Sequence, residues 1–143
     1  MIYKYSDDGY KQTNKTLLNS KGNNFDDFGI LLNNAIAKLS NYRGIVYRKV
    51  YLTVSEFDSY LNAFIYQTAI QEYPFVSTSK SIRVGILWQG LTYLKPNCLF
   101  VIYSKTGKEI ELMSKFTDEK EVLFKPNTQF NILDISRIPI LFN

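Results

Sequence analysis

The stretch Phe75-Val76-Ser77-Thr78-Ser79 separates two parts of the 143-residue chain that differ in hydrophobic pattern. Before it, apolar residues recur every three or four positions, as they do on one face of a helix. After it, β-branched and aromatic residues form short runs that are typical of strands. Helices followed by strands predict an α+β domain. No repeat or linker interrupts the chain, so we expect residues 1–143 to form one domain.

The spacing also predicts the individual elements. We expect helices over residues 10–18 and 25–39, and a third helix that begins at Ser55 with Asp58 completing a capping box. We expect strands over residues 44–53, 75–79, 99–104, 108–112, 119–124 and 129–135, with turns at 105–107 and 125–127. No GxGxxG or GxxxxGK[ST] phosphate loop occurs, which together with the element order argues against a Rossmann fold.

Composition excludes several kinds of site. The chain has no His, which rules out Ser-His-Asp and Cys-His nucleophiles and His-ligated metals. Its one cysteine, Cys98, excludes an intramolecular disulfide, and its apolar neighbours predict a buried structural thiol. A net charge of +4 favours anionic ligands such as phosphates but falls short of the basic stripe of a nucleic-acid binder. We therefore expect no metal and no nucleic-acid partner.

Arg48 is a cation in an apolar strand. Because residues two apart share a strand face, Arg48 lies with Val46 and Val50. An unpaired buried cation is costly, so Arg48 needs a partner. Either it forms a structural ion pair with an internal carboxylate, or its guanidinium lies in a cleft and binds a phosphate through two hydrogen bonds.

Two further polar groups enter apolar strands. The hydroxyls of residues 77–79 usually make local turn or capping bonds at a strand end, but such hydroxyls can also orient a carboxylate. Glu119 and Glu121, two residues apart, project on the same side of the chain. Two carboxylates facing one substrate suit chemistry at a sugar carbon, where one stabilises the transition state and the other handles a proton. The alternative is a solvated, charged start of a strand.

In order along the chain, Val46-Tyr47-Arg48, Ser77-Thr78-Ser79 and Glu119-Lys120-Glu121 resemble the Arg, Ser-Thr-Ser, Glu-x-Glu signature of the mono-ADP-ribosyltransferases. The resemblance is to the arginine-modifying branch, which holds bacterial toxins and vertebrate ecto-enzymes. It extends over nearly the whole chain, from Asp8-Gly9-Tyr10 to residues 124–130. It implies N-terminal helices and two roughly perpendicular β-sheets around an NAD cleft.

The resemblance also implies a role for each residue of the signature. Arg48 would hold the phosphates of NAD, and Ser77 would orient Glu121. Thr78 and Ser79 would shape the nicotinamide side of the pocket. Glu121 would be the catalytic glutamate, bonded to the 2′-hydroxyl of the nicotinamide ribose as the glycosidic bond breaks.

Other residues would recognise the acceptor. Glu119 would orient the guanidine of the modified arginine and accept its proton, and Phe116 would be the exposed aromatic residue of a recognition turn over residues 114–118. Two features depart from the family pattern. Lys49 follows Arg48 where family members often have Gly, and Arg43-Gly44 offers a competing Arg-Gly pair. Arg48 is preferred because Val46-Tyr47 precede it.

The resemblance therefore implies transfer of ADP-ribose from NAD+, the co-substrate, to an arginine of a target protein, by a toxin or effector. Two alternatives stay open: an NAD glycohydrolase with water as the acceptor, and an inactive binding module of the same fold. Expected partners are a target protein and, for a toxin, an immunity or inhibitor protein. No signal peptide or transmembrane segment is recognisable, so we expect no membrane partner, and action in the cytoplasm or delivery into a target cell.

Overall fold

The computed structural model of the protein describes residues 9–82, 95–110 and 121–136. Helices come first and most strands later, which confirms the α+β class. Within the described ranges the elements are α1 (Tyr10–Asn19), α2 (Asp27–Ala37), β1 (Asn41–Val50), α3 (Val54–Ile65), β2 (Ala69–Glu72), β3 (Val76–Ser79), β4 (Cys98–Glu109), β5 (Glu121–Phe124) and β6 (Thr128–Asn131).

The strands form two antiparallel sheets. Strands β1, β3, β5 and β4 close into a small barrel in that order, and β2 pairs with β6 in a separate two-stranded sheet. Strand β4 pairs with nearly all of β1, from Asn41 opposite Lys108 to Val50 opposite Cys98. Its far end also pairs with β5, where Lys108 lies opposite Leu123. The expected pair of sheets is thus confirmed.

Two clusters of buried side chains hold this arrangement together. The first joins the helices to β3 and β5 and comprises Leu17, Leu32, Ile36, Phe75, Ile110 and Leu123. The second joins the barrel strands to one another and comprises Val46, Val76, Val122 and Phe124. Because successive strand residues point to opposite faces, β3 and β5 contribute to both clusters. Truncating a fully buried leucine such as Leu123 to Ala costs about 2–5 kcal/mol.

Helix α3 begins earlier than predicted, and the capping box expected at Ser55 and Asp58 is wrong. The N-cap is Thr53, whose Oγ1 accepts the N–H of Glu56 at 3.2 Å while the Glu56 carboxylate accepts the N–H of Thr53 at 3.1 Å. The chain leaves β1 at Val50, and the Asn97 side chain bonds both backbone groups of Leu52. Thr-x-x-Glu was the stronger signal, since Glu at the fourth position is the usual partner in this motif.

The turn predicted at residues 105–107 is wrong, because β4 passes straight through it from Cys98 to Glu109. A Cβ atom at Gly107 would lie 2.5 Å from Val122 Cγ1 and 2.7 Å from Ser104 Oγ. Glycine is therefore present for a close approach to β5 rather than for a turn. The turn predicted at residues 125–127 is confirmed, with Asn127 at φ 66°. Strand β2 was not predicted.

Candidate active site

Three neighbouring strands of the barrel bring the predicted site residues together. Tyr47 of β1 lies opposite Ser79 of β3, and Ser79 lies opposite Glu121 of β5. Side chains directly opposite each other in an antiparallel pair project on the same face. Tyr47, Ser79 and Glu121 therefore form one row across the barrel wall, although the sequence separates them widely.

Arg48 projects to the face opposite Tyr47 and reaches across to β3. Its Nη1 atom donates a 2.8 Å hydrogen bond to the backbone carbonyl of Ser77. Within the described ranges Arg48 forms no ion pair, so the internal carboxylate considered from the sequence is not its partner there. A guanidinium carries five N–H donors in a planar fork, and the bond to Ser77 leaves donors that can bind a phosphate.

The competing arginine lies elsewhere. Arg43 is exposed and lies at an irregularity between Tyr42 and Gly44 in the pairing of β1 with β4, and it faces no residue of β3. Lys49, which replaces the glycine common in the family, pairs opposite Leu99 of β4 and alternates away from Arg48. The structure therefore favours Arg48 as the arginine beside the Ser-Thr-Ser strand.

The three hydroxyl residues of β3 occupy different environments. Ser77 lies opposite Leu123 and shares a strand face with Ser79 and Glu121. The Oγ atom of Ser79 accepts the backbone N–H of Ser81 at 3.0 Å, in the turn after β3. Thr78 is buried on the other face, where its hydroxyl donates a 2.7 Å bond to the backbone carbonyl of Val122. Thr78 thus ties β3 to β5.

Glu121 has no exposed surface at all. Its backbone carbonyl accepts the N–H of Ile110 at 3.1 Å, which fixes the start of β5 against the end of β4. A carboxylate withdrawn from water interacts strongly with any positive charge that develops nearby, because the local dielectric is low. Glu119, Phe116 and the predicted recognition turn lie outside the described residues.

The sequence gave no indication of a second group beside Arg48. The Tyr60 hydroxyl on α3 donates a 2.5 Å hydrogen bond to Glu72 Oε1 on β2. The Tyr60 ring packs on Phe100, with centroids 5.2 Å apart, and Phe100 lies opposite Arg48 in the register of β4 with β1. Burial raises the pKa of Tyr60 well above its usual value, Glu72 raises it further and the Arg48 charge lowers it.

Two expectations from composition can be compared with the structure. Cys98 is half-buried at the start of β4, and burial raises the pKa of its thiol, which makes it a poor nucleophile. Among the described helices, none has both the length and the apolar character needed to cross a lipid bilayer.

A sequence model of the family described as NAD:arginine ADP-ribosyltransferase matches residues 1–138. No curated protein sequence matches the chain. Several solved structures share its fold. The ADP-ribosyltransferase Vis of Vibrio splendidus, in complex with an inhibitor, has 27% identity and a TM-score of 0.73, and the match covers 95% of this chain and 65% of Vis.

Two plant-pathogen proteins are similar in fold. HopU1, an ADP-ribosyltransferase of Pseudomonas syringae, has 21% identity and a TM-score of 0.71 over 90% of this chain and 60% of HopU1. XopAI, a type III effector of Xanthomonas axonopodis, has 19% identity and a TM-score of 0.69 over 97% of this chain and 56% of XopAI. The chain thus spans less than two thirds of the length of these relatives.

Proposed function

Because the chain belongs to the NAD:arginine ADP-ribosyltransferase family, we propose that it transfers ADP-ribose from NAD+ to an arginine side chain of a target protein and releases nicotinamide. The family membership confirms the resemblance seen in the sequence motifs. NAD+ is the substrate that this family uses. The arginine acceptor, the protein target and the role as a toxin or effector are the parts that we propose.

The observation that carries the proposal is the placement of Glu121. This carboxylate is fully buried on β5, directly across from the Ser-Thr-Ser strand, and that strand accepts a hydrogen bond from Arg48 on its other side. An anion-binding guanidinium and a buried carboxylate on neighbouring strands are the two groups needed to hold a dinucleotide and to favour positive charge on one of its riboses. The residues present therefore fit NAD+.

The residues would divide the work as follows. The Arg48 guanidinium binds the phosphates of NAD+, and Glu121 bonds the 2′-hydroxyl of the nicotinamide ribose. Glu121 also stabilises the positive charge that develops on this ribose as its bond to the nicotinamide nitrogen breaks. Nicotinamide leaves as a neutral base and needs no general acid, so the absence of histidine is no obstacle.

The β3 hydroxyls would hold this arrangement. Ser77 orients the Glu121 carboxylate across the diagonal of the β3–β5 pair, a separation that a side chain as long as glutamate can span. Ser79 supports the turn after the strand, and Thr78 fixes the strand to β5. Through the backbone of β3, Thr78 and Ser79 shape the nicotinamide side of the pocket. No metal takes part in this scheme.

The acceptor would be recognised from residues 114–119. Phe116 contacts the target, and Glu119 orients the guanidinium and takes its proton as the new bond to the ribose carbon forms. A guanidinium has a pKa above about 12 and needs such a base, which supports the role of Glu119. The structure of Vis with agmatine, a small guanidine compound, adds support for a guanidine acceptor.

We infer a toxin or effector that acts inside a target cell. Two proteins of the same fold support this inference, namely HopU1 and the type III effector XopAI, although both are longer than this chain. The proposed partners are a target protein that presents an arginine and, for a toxin, an immunity or inhibitor protein; neither nucleic acid nor a membrane is required.

The test is turnover of labelled NAD+ with cell lysate, comparing the wild type with Glu121→Gln and following both free nicotinamide and label on macromolecules. We expect label on protein, lost by at least about 100-fold in Glu121→Gln, because the charge that stabilises the transition state is gone. Glu109→Gln is the matched control. Its carboxylate is on the surface, in an ion pair with Lys80.

Each outcome has a distinct meaning. Release of nicotinamide without label on protein would replace the transferase with an NAD glycohydrolase. Label on lysine or cysteine, identified by mass spectrometry of the modified peptide, would contradict the arginine acceptor. A folded wild-type protein that neither binds nor cleaves NAD+ would overturn the enzymatic proposal and leave a binding module of this fold.

A further inference from the structure

A tyrosine, a carboxylate and the NAD-binding arginine meet where α3 covers the barrel. Tyr60 packs its ring on Phe100, and Phe100 is the cross-strand neighbour of Arg48. The Tyr60 hydroxyl in turn donates to Glu72 Oε1 at 2.5 Å. Tyr60 therefore lies between the positive charge of Arg48 and the negative charge of Glu72.

Both charges act on the tyrosine hydroxyl. The Glu72 carboxylate raises the pKa of Tyr60, and the Arg48 guanidinium lowers it, in addition to the larger effect of burial. Glu72 and Arg48 are therefore close enough to attract each other. Even so, within the described residues they form no ion pair, because Glu72 is bonded to Tyr60 and Arg48 to Ser77.

A carboxylate that paired with Arg48 would compete with any anionic ligand, since it would use the same planar donors as a phosphate. We propose that Tyr60 is a positioning residue whose hydroxyl holds the Glu72 carboxylate away from the Arg48 guanidinium and so keeps this guanidinium available for the phosphates of NAD+. This inference rests on the proposed function of Arg48. It assigns Glu72 a role that weakens binding unless Tyr60 restrains it.

Steady-state kinetics of nicotinamide release tests the inference with a set of matched variants. Tyr60→Phe keeps the ring on Phe100 and removes only the hydroxyl. We expect it to raise KM for NAD+ by about 3- to 10-fold with kcat within about twofold of wild type, because a lost ground-state contact raises KM alone. Glu72→Gln should keep the wild-type KM. The double variant Tyr60→Phe/Glu72→Gln should recover it, since no carboxylate is then left to compete.

Rescue in the double variant separates positioning from packing. If Tyr60 merely stabilises α3, KM in the double variant stays as high as in Tyr60→Phe, and the inference fails. An unchanged KM in Tyr60→Phe also overturns it. Tyr66→Phe, at an exposed tyrosine just beyond the end of the same helix, is the control and should match wild type.

A second measurement does not depend on NAD+. Urea unfolding of wild type, Arg48→Gln, Glu72→Gln and their combination gives the coupling between the two charges. We expect the coupling to be near zero with Tyr60 present and clearly favourable in the Tyr60→Phe background. Coupling without NAD+ turnover by the wild type would refute the proposed function and keep the restraint by Tyr60. Turnover without coupling in the Tyr60→Phe background would refute the restraint alone.

Discussion

Glu121 of β5 lies directly opposite Ser79 of β3, and Ser77 lies on the same face, diagonal to Glu121. The two serines are therefore distinct in what they can do for the carboxylate. Ser79 Oγ already accepts the N–H of Ser81. This leaves the diagonal hydroxyl of Ser77 as the one that we assign to orienting Glu121.

The first prediction concerns this assignment. Ser77→Ala should lower kcat for nicotinamide release by about tenfold with little change in KM, because one hydrogen bond that orients the reacting carboxylate is worth roughly 1 to 1.5 kcal/mol. Ser79→Ala should cost less in kcat and should mainly loosen the turn after β3. Kinetics of the two variants side by side check the prediction. A larger kcat loss in Ser79→Ala would transfer the orienting role to Ser79.

The second prediction concerns phosphate binding. Arg48→Lys should weaken NAD+ binding by about 10- to 100-fold, because an ammonium cannot make the paired bonds of a guanidinium and must still satisfy the Ser77 carbonyl. Isothermal titration calorimetry with NAD+ measures the effect. Arg43→Lys, at the exposed arginine of the same strand, should bind as wild type does. Equal losses in the two variants would contradict the choice of Arg48.

The third prediction concerns the cap of α3. Thr53→Ala removes the hydroxyl that accepts the N–H of Glu56, and should lower the free energy of unfolding by about 1 kcal/mol. Ser55→Ala, in the first turn of the same helix, should change it by less than about 0.5 kcal/mol, as exposed substitutions usually do. Urea unfolding followed by circular dichroism compares them. The reverse order of effects would restore the capping box first expected at Ser55.

The fourth prediction concerns the close contact of β4 with β5. Gly107→Ala places a Cβ 2.5 Å from Val122 Cγ1, and the strands must separate to admit it. We expect a loss of about 1–3 kcal/mol in the free energy of unfolding, as in other overpacked sites. Thr106→Ala, at the exposed neighbouring position, should have little effect. A neutral Gly107→Ala would mean that the glycine serves a turn after all.

The fifth prediction is a pH dependence. The pKa of Tyr60 is higher in the folded protein than in the unfolded chain, mainly because of burial. Above about pH 10 the unfolded chain therefore loses a proton that the folded protein keeps, and stability falls as the pH rises. Below that pH Tyr60 contributes no slope. Urea unfolding between pH 8 and 11, at roughly half-unit steps, should show a shallower alkaline decline in Tyr60→Phe than in wild type. Parallel curves would contradict the shift.

The elements and the signature residues were predictable because their information is local. Alternation and helical spacing placed α1, α2 and β1, and the order of three short motifs placed Arg48, Ser77 and Glu121 on adjacent strands. Strand β2 was missed because its four residues lack a β-branched pattern and are held by pairing with β6, far along the chain. The contact of Tyr60 with Glu72 was missed for the same reason, since it depends on how α3 lies against the barrel.

The two-sided role of β3 has a consequence for how this chain can vary. Within four residues, Val76 and Thr78 serve the interior of the barrel, while Ser77 and Ser79 face the row that holds Glu121. One residue inserted or deleted just before β3 would exchange the two sides, burying serines among valines and turning a valine toward the carboxylate. The serine and threonine positions can therefore tolerate substitution, one at a time, far better than any change in their count.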